Sequence, residues 1–170
     1  MITIREERSE DIPAIRRVNQ QAFGQTEEAD IIDSLRESCD DLLSLVAVSE
    51  GRVVGHVLFS PAQIEGEHGS LAGVGLAPMA VLQEYQMQGI GSRLVEEGLG
   101  RLRETSCPFV VVLGHPEYYP RFGFVPASRY GVRCEWEVPD EVFQILPLDA
   151  EQLQGISGVA KYRSEFGTAV

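Results

Sequence analysis

One stretch of this sequence has a pattern that chemistry can use: Leu76 to Leu94, LAPMAVLQEYQMQGIGSRL. An apolar strand-like run, broken by Pro78, passes through Gln86-Met87-Gln88-Gly89-Ile90-Gly91 straight into an amphipathic helical pattern. The first amides of a helix have no intrahelical acceptor. They point out of the end at which the macrodipole is positive. Glycine at 89 and 91 lets a bulky anion reach the backbone without meeting a Cβ. The product is a phosphate cradle that requires no lysine. The same glycines also suit an ordinary turn ahead of a helix, and the short motif alone does not choose between the two. It is not a Walker A loop, because no Gly-Lys-Ser/Thr follows. As a dinucleotide fingerprint it is poor. The third glycine is missing, and the segment follows two helical patterns and a hairpin instead of opening a βαβ unit.

Other chemistries find less support. His56, His68 and His115 are scattered, and no Cys or His pair has zinc-ligand spacing, so no metal is expected. Cys39, Cys107 and Cys134 are widely separated and odd in number, which reads as reduced thiols in a cytoplasmic protein. No Cys-His or Ser-His-Asp arrangement suggests a covalent nucleophile. The net charge of −12, with only 14 basic residues, argues against a nucleic-acid partner. An acidic field attracts a cationic amine, although maintaining solubility is an equally good reason for it. No apolar run approaches the roughly 20 residues of a membrane span. Met1 to Arg8 alternates apolar and charged residues and lacks the apolar core of a signal peptide, so a cytoplasmic location without membrane attachment is expected.

The elements that must position the glycine segment follow from periodicity. With 170 residues and 44% hydrophobic composition, the chain suits one domain over residues 1–170. Ile2 and Ile4 alternate with polar neighbours as a short strand. Ser9 is placed to cap a helix whose face is Ile12, Ile15, Val18 and Ala22 and which stops at Gly24. A second helix buries Ile31, Ile32 and Leu35. Leu42 to Val48 and Arg52 to Phe59 form a hairpin about Glu50-Gly51, and Pro61 to Gly69 reads as polar and turn-rich. Ser70 to Val81 is a strand-like run whose Gly73, Gly75 and Pro78 suggest a bulge or a close backbone approach. A helix spans Ile90 to Glu104, and Phe109 to Leu113 reads as a central strand. A short helix or turn at Glu117 to Phe122 precedes strands at Phe124 to Val132 and Val142 to Leu148, with a helical turn in the tail after Asp149. The order implies an α/β fold with a mixed sheet and helices on its faces.

Gln-x-x-Gly-x-Gly between an apolar strand and a helix resembles the acyl-CoA-binding motif of the GNAT acetyltransferases. Tyr119-Pro120-Arg121-Phe122-Gly123-Phe124 resembles that family's second signature, a tyrosine four residues before Gly-Phe. The two segments come in the family's order, with a helix and a strand between them. They define a motif core at 76–124, followed by C-terminal strands and a tail at 125–170. Leu-x-Pro-Met-Ala-Val together with Gly-His-Pro-Glu-Tyr-Tyr resembles a subgroup of small-substrate acetyltransferases.

The resemblance implies a central, splayed mixed sheet and an N-acetyltransferase that moves an acetyl group from acetyl-CoA directly to a primary amine of a small molecule or peptide. A homodimer is compatible with exposed strand edges near the C-terminus. By the same resemblance, the backbone of Gln86, Met87, Gln88, Gly89, Ile90, Gly91 and Ser92 holds the pyrophosphate. Met79, Ala80 and Val81 lie along the pantetheine arm, and an amide near Val81 meets the developing oxyanion. Tyr119 is the general acid, since a phenol keeps its proton at neutral pH. A tyrosine that simply packs beside Phe122 and Phe124 is the alternative. No Asp or Glu lies between Leu71 and Val81, where the family often places a base. His115 is the catalytic candidate for that role, against the plainer reading of a loop histidine bonded to backbone; Glu65, Glu67 and Glu117 are weaker. Gln83 and Met87 depart from the family's usual residues, and Met87 threatens to crowd the cofactor. The alternative function is an acyl-CoA sensor of the same fold that does not turn over. A dinucleotide-dependent oxidoreductase is a third reading.

Overall fold

The computed structural model describes residues 1–168. The chain groups into two compact units that interleave along the sequence. The first comprises Met1–Phe59, Ala77–Arg101 and the described residues from Glu165; the second comprises Ser60–Leu76 and Leu102–Ser164.

In the first unit, β1 (Ile2–Glu6), β2 (Leu43–Ser49) and the opening part of β3 (Arg52–Gly66) pair antiparallel, with Ile4 opposite Ala47 and Ser44 opposite Leu58. The expected hairpin turn is present. Glu50 (φ 49°) and Gly51 (φ 79°) are both left-handed, which matches the twist of the flanking strands. Two helices follow β1. α1 (Ile12–Phe23) buries Ile15 and Val18, and α2 (Glu27–Ser38) buries Ala29, Ile31, Ile32 and Leu35. α1 ends where expected: Gly24 is left-handed (φ 70°) and its amide bonds to Gln20 at 2.9 Å. Arg16 joins the helices through Asp30 at 2.8 Å and Asp33 at 2.7 Å. The start of α1 differs from expectation. Ser9 makes no cap but opens a 3-10 turn, Ser9–Asp11. Asp11 holds the corner instead, accepting from the Arg8 amide at 2.7 Å and from Arg5 at 2.7 Å. A carboxylate with a guanidinium partner outcompetes a neutral hydroxyl there. α3 (Ile90–Arg103) buries Ile90, Leu94, Val95 and Leu99 as its period requires. Gly98 is a packing position, because a Cβ there would come within 2.2 Å of the Phe59 ring.

In the second unit, β3 continues to Gly66, turns at Glu67-His68 and returns as β4 (Gly69–Val81). The polar segment after Pro61 is therefore strand rather than loop. Ala62, Gln63, Ile64 and Glu65 pair antiparallel with β9 (Gly158–Tyr162), a strand that the sequence reading missed. β5 (Phe109–Leu113) is central. It pairs parallel with β4 at Val74–Leu76 and antiparallel with β8 (Phe143–Pro147). β8 also pairs with β6, which is only Val125–Pro126. The single strand expected over Phe124 to Val132 is thus two short ones. A 3-10 turn at Ala127–Tyr130, closed by left-handed Gly131 (φ 70°), separates β6 from β7 (Val132–Cys134). β7 pairs parallel with β9, and α4 (Ala150–Leu153) is capped by Asp149, which accepts from the Glu151 amide at 3.1 Å.

Candidate functional site

In the first unit, the segment between β4 and α3 has the geometry that the glycines imply. A 3-10 turn, Gln83–Tyr85, leads into Gln86–Gly89, all four exposed, and Ile90 is buried as α3 begins. Met87 (φ 65°) and Gly89 (φ 80°) are both left-handed. Left-handed residues within such a turn direct successive backbone amides to one side, forming an anion-binding nest. The place a Cβ would take at Gly89 meets no atom within 4 Å, so this side of the backbone is open. The helical ladder starts with Arg93 bonding to Gly89 at 3.1 Å. The Gln86 side chain donates to the Val81 carbonyl at 3.0 Å and anchors the loop to the end of β4. Gln88 reaches the Glu84 carbonyl at 3.4 Å. The loop is therefore built by its two glutamines and presents main chain. Met87 is fully exposed, so its side chain packs against none of the described residues. Its left-handed backbone is a site feature that the sequence reading did not find, because methionine carries no bias toward that conformation.

Met79 is half-buried, and Ala80 and Val81 are buried, on the stretch of β4 that feeds this loop. Leu82 follows, its amide bonded to Val54 at 2.9 Å, which ties the strand's end to β3. The pairing between β4 and β5 ends at Leu76 and Val112.

In the second unit, Tyr119 opens a 3-10 turn, Tyr119–Phe122, that closes at left-handed Gly123 (φ 99°). Its ring is buried in an aromatic group: Tyr118 edge-on at 5.0 Å, Phe124 edge-on at 5.6 Å and Phe122 at 6.2 Å. Gly114 makes room for the ring, since a Cβ there would come within 2.2 Å of Tyr119 Cε2. The Tyr119 hydroxyl makes no hydrogen bond among the described residues. Burial pushes its pKa up to about 12, with a smaller contribution from Tyr118. The group therefore remains a proton donor throughout the neutral range. Tyr118 differs: Arg121 lies over its ring at 4.4 Å and donates to its carbonyl at 2.9 Å. The His115 side chain is exposed, while its carbonyl accepts from the amides of Tyr118 (3.1 Å) and Tyr119 (3.4 Å) and from Gln144 (3.3 Å). His115 thus helps to set the tyrosine turn through its backbone. Among the described residues, no three His, Cys, Asp or Glu side chains gather as metal ligands.

The first unit holds a further polar cluster that the sequence reading did not find. His56, on β3, is fully buried. Asn19 of α1 donates to its Nδ1 at 3.2 Å, and its second amide hydrogen goes to the Ile15 carbonyl at 3.0 Å. With Nδ1 accepting, the ring proton sits on Nε2 and is donated to Ser44 Oγ at 2.8 Å. Ser44 in turn donates to Glu7, which Arg36 holds at 2.6 Å. Burial, and then the Arg36 charge, lower the His56 pKa to about 3. A neutral histidine thus links α1, β3, β2 and α2. A lone histidine among valines and a leucine carries no spacing signal that would reveal it.

Comparison with known proteins bears on the family and the fold. A family model described as Acetyltransferase (GNAT) domain matches residues 3–127. The N-acetyltransferase YhbS of Escherichia coli K12 is 40% identical over 157 residues, covering 92% of this chain and 93% of that protein. A crystal structure of E. coli YhbS in complex with CoA superposes with a TM-score of 0.89 at 38% identity, over 98% of this chain and 92% of that one. A GNAT family acetyltransferase from Brucella melitensis, in complex with acetyl-CoA, gives a TM-score of 0.80 at 34% identity over 98% of each chain.

Proposed function

The chain belongs to the GNAT acetyltransferase family, and we propose that it transfers the acetyl group of acetyl-CoA directly to a primary amine of a small molecule or peptide. The observation that carries this reading is the exposed turn at Gln86–Gly89. Its left-handed Met87 and Gly89 offer main-chain donors at the start of α3. The residues fit a diphosphate, because the open side of Gly89 leaves the backbone reachable and both glutamine side chains are engaged in holding the loop. In this reading Gln86 through Ser92 hold the pyrophosphate. Met79, Ala80 and Val81 line the pantetheine arm, and a backbone amide near Val81 stabilises the oxyanion.

The neutral amine attacks the thioester carbonyl, the C–N bond forms, and the C–S bond breaks. Tyr119 supplies the proton that the departing sulfur takes, and the proton that the new amide nitrogen sheds restores the phenol. Its buried phenol is protonated at neutral pH, and its hydroxyl is not used by any acceptor among the described residues. A pKa near 12 is high for an acid, but the surroundings that disfavour a phenolate also disfavour a thiolate expelled into them. An alkylammonium has a pKa near 10.4, so the amine sheds a proton before attack. We assign His115, the exposed imidazole of the loop leading to Tyr119, as the base that receives it.

The test is amine-dependent release of free thiol from acetyl-CoA across a panel of primary amines, with the N-acetylated product identified by mass. We expect thiol release that requires both an amine and the protein. Tight CoA binding with no product from any amine would leave a binding module and remove the transferase reading.

A further inference from the structure

The acceptor's own binding groups are the gap in that reading, and the second unit contains a construction suited to them. Tyr162, the last residue of β9, is buried. Its ring lies against Gly75, where a Cβ would come within 2.5 Å of Tyr162 Cε2, and its hydroxyl donates to the Val111 carbonyl at 3.2 Å. Gly75 and Val111 are register partners, one residue before the β4–β5 ladder ends. Burial first, and then the neighbouring Cys134 thiol and Tyr119 phenol, hold the Tyr162 phenol well above its ordinary range. Tyr162 is therefore a neutral post.

Glu135 and Trp136, directly after β7, fold against this post. Glu135 Oε2 accepts from the Tyr162 amide at 2.7 Å. The indole lies 5.6 Å from the Tyr162 ring with a 33° tilt. Glu135 is exposed and Trp136 half-buried. The remaining carboxylate oxygen, Oε1, makes no hydrogen bond or ion pair among the described residues. A carboxylate held in place through one oxygen, with an indole beside it, is what an alkylammonium group binds. The carboxylate supplies opposite charge and hydrogen-bond acceptors, and the indole supplies its electron-rich face.

We infer that Glu135 and Trp136 form the site that holds the acceptor as an alkylammonium ion, so that this enzyme selects cationic amines over uncharged ones. Calling the bound cation the acceptor rests on the transferase reading; the cation site itself does not. Trp136 is the chain's single tryptophan, so its emission reports this position alone. Wild-type protein is titrated with butylammonium and with lysine amide, and 1-butanol serves as the uncharged control. The expected result is a saturable emission change with both cations and none with the alcohol. Glu135→Gln, whose amide oxygen still accepts from the Tyr162 amide, should weaken cation binding by about tenfold or more. In turnover, the same substitution should raise KM for cationic amines by a similar factor and leave KM for acetyl-CoA unchanged. Equal responses to butylammonium and 1-butanol, no saturable response, or unaltered cation binding in Glu135→Gln would each overturn the site. If the wild type acetylates no amine, the transferase reading fails, and the emission titration still decides the site.

Discussion

His56 makes the stability of the first unit depend on pH in a way that can be calculated. An unfolded histidine titrates near 6.5, whereas in the folded protein His56 titrates at about 3. Its folded pKa is depressed, so folding favours the neutral ring. The contribution is fully present above about pH 6.5 and is lost as pH falls from there toward 3. Lowering the pH from about 7.5 to about 5 should therefore cost about 2 kcal/mol from this residue alone, since the unfolded chain binds a proton that the native state refuses. With a urea m-value of about 2 kcal/mol/M for a chain of this size, the midpoint should fall by roughly 1 M. Other groups also titrate in this range, so the comparison is with His56→Gln, which cannot take up a proton. Urea denaturation followed by circular dichroism at several pH values should give a wild-type slope steeper than that of the variant by about 1.4 kcal/mol per pH unit below pH 6. The variant will be less stable at neutral pH, because Ser44 and Asn19 lose a matched partner. That offset does not enter the slope. Parallel curves for the two proteins would refute the reasoning, and would mean that His56 is charged when folded or exposed before unfolding.

Tyr119→Phe should lower kcat by roughly 100-fold or more in steady-state assays of thiol release, with KM for acetyl-CoA nearly unchanged, because the ring's packing survives and only the proton donor is lost. Gly114→Ala should displace that ring and lower kcat while Tyr119 remains, and overpacking should add about 1–3 kcal/mol of destabilisation in the same denaturation assay. Gly89→Ala forces a Cβ into a left-handed backbone (φ 80°) at a strain of about 1–2 kcal/mol. We expect calorimetric affinity for CoA to drop with little change in kcat at saturation. Gly98→Ala should cost about 1–3 kcal/mol of stability, because the added methyl meets the Phe59 ring, and should leave KM for acetyl-CoA as it was.

Periodicity revealed the regular elements well because burial enforces it. Ile31, Ile32 and Leu35 on α2 and Leu94, Val95 and Leu99 on α3 face the interior as their spacing demands. Failures occurred where another term decided the local structure. Gln63 and Glu65 alternate with buried Ala62 and Ile64, so a polar-looking segment is a two-faced strand. Its partner β9 lies almost a hundred residues away in sequence, and no local pattern announces such a pairing. At Ser9 the hydroxyl lost the corner to Asp11, whose partner Arg5 lies on β1. The candidate site divides in the same way. Gly89 pointed to the left-handed turn ahead of α3 because glycine's conformational freedom is visible in a sequence. Left-handed Met87, buried His56 and the room that Gly114 leaves for Tyr119 depend on neighbours that only the fold brings together.

The most direct measurement is a backbone amide NMR titration comparing coenzyme A with pantetheine, which lacks the diphosphate. Large shifts across Gln86 to Ser92 with coenzyme A, and small ones there with pantetheine, would show main-chain donors gripping phosphate oxygens. Saturation with coenzyme A while those amides stay in place would contradict the account.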